Sequence, residues 1–193
     1  MATILARAHR AAALGLVLLS GGTALADEAP MQAGWAPREF RFTYQGFTTK
    51  YSCDGLSGRI EEVLLLLGAR KQDLKVSTTG CAGGFGRPTP FPGVMVKMSV
   101  LEPIGEKTAP GTEPVATQWR NVDVGRPQPL AAAGDCELTE QIKQTILPLF
   151  TTRNVEYRST CVPHQLTSGG TALTADVLVP VPPTPTPAAS AAH

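Results

Sequence analysis

Four cysteines stand as two brackets of nearly equal width, Cys53 to Cys81 and Cys136 to Cys161. Each bracket encloses a helix-patterned stretch and then a strand-patterned one. No other feature of the chain restricts its fold as much. It predicts two local disulfides, Cys53–Cys81 and Cys136–Cys161, each tying a helix start to the end of the next strand. It also predicts a repeated unit. Disulfides persist in oxidising compartments, so this reading depends on export.

Residues 1–26 have the pattern of a signal peptide. Arg7, His9 and Arg10 form a basic start, Ala11 to Leu19 an apolar run, and Ala24-Leu25-Ala26 a small-residue cleavage site. The apolar run is too short to span a bilayer, and no later segment is long and apolar enough to do so. The chain has no Arg-Arg pair for a twin-arginine route and no cysteine at the cleavage site for a lipid anchor. The expected location is the periplasm or the medium. Removing Arg7 and Arg10 from 17 basic residues leaves 15 against 16 acidic ones, a formal net charge of −1. That balance excludes a strong basic field for nucleic acid or anionic lipid.

Residues 27–193 are of single-domain length. Residues 27–38 are polar and contain proline, and a flexible N-terminal lead is expected there. Phe40, Phe42 and Tyr44 alternate with Arg41, Thr43 and Gln45, the period of a half-buried strand. Ile60, Val63, Leu64 and Leu67 make one apolar face of a helix, with Asp54 or Ser57 as its cap and Gly68 as its end. Leu65 and Leu66 widen that face. Leu74 to Gly80 reads as a strand, residues 82–93 as a Gly/Pro-rich loop, and Val94 to Val100 as an alternating strand that stops at Pro103.

The order then recurs. Residues 115–124 are strand-like. Ile142, Ile146 and Leu149 form a shorter helical face, with Thr139 as its cap and Pro148 weakening its last turn. Asn154 to Thr160 and Leu173 to Val179 read as strands. One feature opposes duplication: Leu74 and Val76 are out of phase with Val155 and Tyr157, counted from the cysteine that follows each pair. The predicted fold is α+β. It has two β-α-β-β units, residues 39–103 and 115–180, in an antiparallel sheet with helices on one face. A ferredoxin-like order is the alternative. Residues 181–193 are a Pro-rich tail with the composition of disordered chain.

Tyr51 to Cys81 also resembles a segment that recurs in small exported proteobacterial proteins of unknown function. The resemblance rests on Cys53-Asp54-Gly55, the leucine run ending at Gly68-Ala69-Arg70, Asp73-Leu74-Lys75-Val76, and Gly80-Cys81. It covers about a sixth of the chain. It implies a bacterial envelope protein and supplies neither catalytic residues nor a cofactor.

Few residues are suited to chemistry. His164 is the only histidine outside the signal segment and the tail. Ser159, Ser168 and Asp176 are near it in sequence, but there is no Gly-x-Ser-x-Gly elbow. No Cys-x-x-Cys or zinc spacing occurs. Gly83-Gly84-Phe85-Gly86-Arg87 leads into prolines and a strand, so it is not a phosphate loop. The adjacent Glu61-Glu62 pair diverges on a helix. No catalytic, cofactor or metal residue is expected. The expected function is a non-enzymatic envelope module that binds a protein partner, through Leu65, Leu66, Phe85, Arg87 or Phe91, or acts as an accessory factor. The alternative is a hydrolase-like enzyme with a dispersed site near His164.

Overall fold

A computed structural model describes residues 30–81, 87–105, 111–125, 136–162, 165 and 170–182. The signal segment, Phe85, His164, Ser168 and the tail from residue 183 lie outside the described residues. The elements in chain order are β1 (Met31–Thr43), α1 (Cys53–Leu66), β2 (Lys75–Thr79), β3 (Gly93–Pro103), β4 (Val115–Asp123), α2 (Cys136–Gln141), β5 (Thr152–Ser159) and β6 (Thr171–Pro180). All strand pairs are antiparallel, in one six-stranded sheet of order β2-β3-β1-β4-β6-β5. The class is α+β, as expected. A ferredoxin-like order is not observed, because Val115–Asp123 adds a strand between β3 and the second helix.

The first strand starts earlier than its aromatic alternation suggested. Met31 to Arg38, read from sequence as part of a flexible lead, is the first half of β1. Trp35 and Ala36 register with Leu101 and Val100, and Ala33 is fully buried. Small residues and a proline hid this half, since burial here is supplied by neighbouring strands.

α1 follows its apolar spacing. Leu56, Ile60, Val63, Leu64 and Leu67 are buried. Its cap is Ser52 rather than Asp54 or Ser57: the Ser52 Oγ accepts the Gly55 N–H at 3.1 Å. Gly68 ends the helix at φ +98°, a conformation that costs other residues about 1–2 kcal/mol. The Arg120 guanidinium donates to the Leu66 carbonyl at 2.9 Å and satisfies one of the orphan acceptors there.

The second helix is irregular. Only Cys136–Gln141 is α-helical; Ile142–Ile146 form a π turn and Leu147–Leu149 a 3₁₀ turn. Pro148 cannot donate to Gln144, and its ring crowds that carbonyl, so the regular ladder is lost just before it. Thr139 does not cap this helix. It is buried within it and accepts a hydrogen bond from Thr171.

Both helices pack on one face of the sheet. Phe42, Val94, Val96, Val122, Leu173, Ala175 and Val177 point to that face, and α1 and α2 close over them in one cluster. Residues of opposite parity, Ala33, Leu101 and Leu178 with Trp35, Val115 and Trp119, form a smaller cluster on the other face. The two disulfides are Cys53–Cys81 and Cys136–Cys161, with Cα separations of 6.0 and 6.3 Å. Among the described residues no helix is long and apolar enough to cross a membrane.

Candidate functional site

The centre of the sheet is thinly joined. β1 and β4 pair only over Met31–Ala33 and Val115–Thr117, and then run apart. Among the described residues, the rest of β1 is therefore paired on the β3 side alone. Hydrogen bonds at its two ends reveal which groups are left over. The Tyr44 N–H donates to the Pro92 carbonyl at 2.9 Å, and the Gln32 carbonyl accepts from Ile104 N–H at 3.1 Å. Even-numbered residues thus turn their main-chain groups toward β3. Antiparallel ladders alternate, so odd-numbered residues turn theirs the other way.

Side chains of α2 take the place of a strand beyond the end of β1. At Gln45 the main-chain N–H donates to the Gln141 side-chain carbonyl at 3.0 Å, and the Gln141 amide donates back to the Gln45 carbonyl at 2.8 Å. This is the two-bond exchange of a ladder pair, made by one side-chain amide. Next to it, one oxygen of Glu137 accepts from the N–H groups of Phe47 and Thr48 (2.9 and 3.1 Å), the Thr48 hydroxyl (3.0 Å) and the Tyr44 hydroxyl (3.3 Å). These bonds fix the loop after β1 to the start of α2.

A cleft of about 440 Å³ lies between this end of β1 and the α2–π segment. Its walls carry Arg41, Thr43, Gln45, Phe47, Glu140 and Gln144. Phe47 is 75% exposed beside it. Groups of this kind bind by hydrogen bonding and apolar contact.

The face opposite the helices is built differently. Trp35 and Trp119, the two tryptophans of the chain, each register with a leucine, Leu101 and Leu178. Arg70 stacks over Trp35 at 5.3 Å and Arg153 over Trp119 at 4.4 Å. The Trp119 indole N–H is buried without a hydrogen-bond partner among the described residues. Asp176 lies nearby with its side chain 16% exposed. Hydrogen bonds from Asn121 and Asn154, then the Arg153 guanidinium, hold its carboxyl below the usual carboxylate range against the opposing effect of burial. A second cavity of about 500 Å³ on this face is lined by Arg38, Glu39, Asp73, Lys75 and Lys97.

The contact residues expected from sequence are scattered. Leu65 and Leu66 are half-buried, and Leu66 packs against the main cluster. Arg87 is exposed and Phe91 is 64% exposed, on the loop before β3. None of them lines the cleft. Sequence reading missed Glu137, Gln141 and Phe47. The available signal was Cys136-Glu137, an acid after a cysteine at a helix start, as in Cys53-Asp54. The chain matches no family model, no curated protein and no solved structure.

Proposed function

We propose that this chain is an exported bacterial envelope protein, built from two duplicated β-α-β-β units, that binds a protein partner and catalyses no reaction. The observation that carries the binding reading is the cleft beside β1. It combines an incompletely paired strand, polar helix side chains and an exposed phenylalanine. Its best-placed carboxylate oxygen, on Glu137, is engaged by four donors that hold a loop. That is an architectural use of the acid, and it fits a binding surface better than a proton-transfer site.

Export is supported by the signal pattern of residues 1–26 together with two disulfides. Duplication is supported by matched positions in the two halves. Trp35 and Trp119 occupy matching places against Leu101 and Leu178, each under an arginine. β3 and β6 both end in proline, and the next residue of each, Ile104 and Val181, donates to the start of the neighbouring strand at Gln32 and Ala116. The phase mismatch has a local cause. Val76 pairs with Val96 and Tyr157 with Leu173. Val96 and Leu173 stand equally far from Pro103 and Pro180, so Val76 and Tyr157 match. Gly80, at φ +72°, then separates Thr79 from Cys81 and has no counterpart between Thr160 and Cys161. Tyr157 accordingly faces the core as Val76 does, and Val155, in the bulge of β5, is exposed.

The test is photocrosslinking in the envelope of the native host. A photoreactive residue at Phe47 or Gln144 should give one discrete adduct with the same partner. The same probe at Glu61, on the exposed side of α1, should give none. No adduct from either cleft position would overturn the binding reading. N-terminal sequencing of the exported chain should begin at Asp27.

A further inference from the structure

We infer that the partner is bound by strand addition: an extended peptide carrying an acidic side chain pairs with the open edge of β1 from Glu39 to Thr43. This rests on the partner-binding reading above and names the chemistry of the partner.

The ladder alternation established at Tyr44 and Gln32 turns the main-chain groups of Glu39, Arg41 and Thr43 away from β3. β4 does not reach them, since its pairing with β1 ends at Ala33. No backbone or side-chain group among the described residues bonds these three N–H and C=O pairs. Gln45, the next residue of this set, shows what the edge accepts, because the Gln141 amide already bonds it as a peptide group would. The open edge therefore runs up to a built stop. Five residues of strand span roughly 17 Å, and the cleft flanks the Arg41–Thr43 end of that stretch.

The two outer edges of the sheet are less inviting. β2 is five residues long and starts with Lys75, and β5 is bent by its bulge, both usual protections of an edge. A second copy of this chain fits poorly, because its strand would bring a whole sheet into a cleft closed on one side by α2. A single extended segment does not have that difficulty, and main-chain pairing gives it affinity without demanding one sequence. Arg41 sets the preference. It is exposed and makes no ion pair among the described residues, whereas neighbouring Glu39 is paired with Lys97 at 3.4 Å. An acid on the added strand opposite Arg41 completes a cross-strand pair.

The probe is a displayed library of random octapeptides, selected against the full exported chain. Enriched peptides should carry Asp or Glu at one fixed position. Hydrogen exchange at the amides of Glu39, Arg41 and Thr43 should slow at least tenfold with the selected peptide bound. Thr43→Pro removes one edge N–H and costs the β3 ladder nothing, so it should weaken binding at least tenfold with an unchanged unfolding midpoint. Arg41→Glu leaves the backbone intact and should reverse the preference from Asp to Lys.

The inference fails if the library yields no binder, if selected peptides protect other amides, or if Arg41→Glu leaves the preference unchanged. It also fails if the three amides exchange slowly in the free chain, which would mean that the chain covers its own edge. A dimer abolished by Thr43→Pro would assign the edge to a second copy and overturn it too. A partner adduct at Phe47 that persists in Thr43→Pro would sink strand addition and leave partner binding standing.

Discussion

Glu137 shows how one side chain can decide the shape of a site. Its oxygen collects two main-chain N–H groups and two hydroxyls, all from Tyr44 to Thr48. Glu137→Ala leaves those donors to find water, and the part-buried ones find it poorly. We expect a loss of about 1–3 kcal/mol in urea unfolding. Glu137→Gln keeps an acceptor and should lose less than half of that. Asp176 offers a second test at this scale, through pH. Its folded pKa is lowered, so its contribution is present above the unfolded value of about 3.9. It is lost as pH falls through the lower folded value. The stability gap between the wild type and Asp176→Asn should therefore be wide at pH 6 and shrink toward pH 2. An equal gap at both would mean that the Asn121, Asn154 and Arg153 contacts do not favour the ionised form.

The elements divide by how locally their shape is determined. α1 was legible because its apolar spacing and Gly68 agree within one segment, and Asp54 adds an acid to its first turn. Gly68→Ala tests the last of these. A Cβ there would sit 3.1 Å from the Leu178 carbonyl, on a backbone at φ +98°. The expected cost is about 1–2 kcal/mol in thermal or urea unfolding. Loss below a few tenths would mean that the helix end adapts freely. The start of β1 was not legible, because Gln32, Ala33 and Gly34 acquire their strand character from β3 and β4. The π turn followed from Pro148 only in part, since a weakened turn has several possible forms. The bulge in β5, with Asn154 at φ +51°, was not legible, because it depends on how β5 pairs with β6. The open edge of β1 was beyond the sequence altogether. It depends on where β4 stops pairing, which is a property of two distant segments.

At the scale of the whole molecule, the two stapled halves share one core. Val63, Leu64, Val94 and Val96 from the first half pack in the same cluster as Ile142, Ile146, Leu173 and Ala175 from the second. Thr151, in the second half, also donates to the Leu101 carbonyl of β3 at 2.8 Å, and Thr117 to the Met31 carbonyl at 2.7 Å. The disulfides, by contrast, are local, with separations of 28 and 25 residues. Each should add about 3.5–4 kcal/mol by restricting the unfolded chain. Because the core is common, that loss should be felt by the whole molecule. Replacing either pair by serines, Cys53→Ser with Cys81→Ser or Cys136→Ser with Cys161→Ser, should lower stability by about that amount in one transition. Tryptophan fluorescence and far-ultraviolet circular dichroism should give the same midpoint. A second transition that keeps the half with its intact disulfide folded would show that the halves are separate folding units. The three-residue join between β1 and β4 would then be a hinge between them, and the cleft beside β1 would change shape with it.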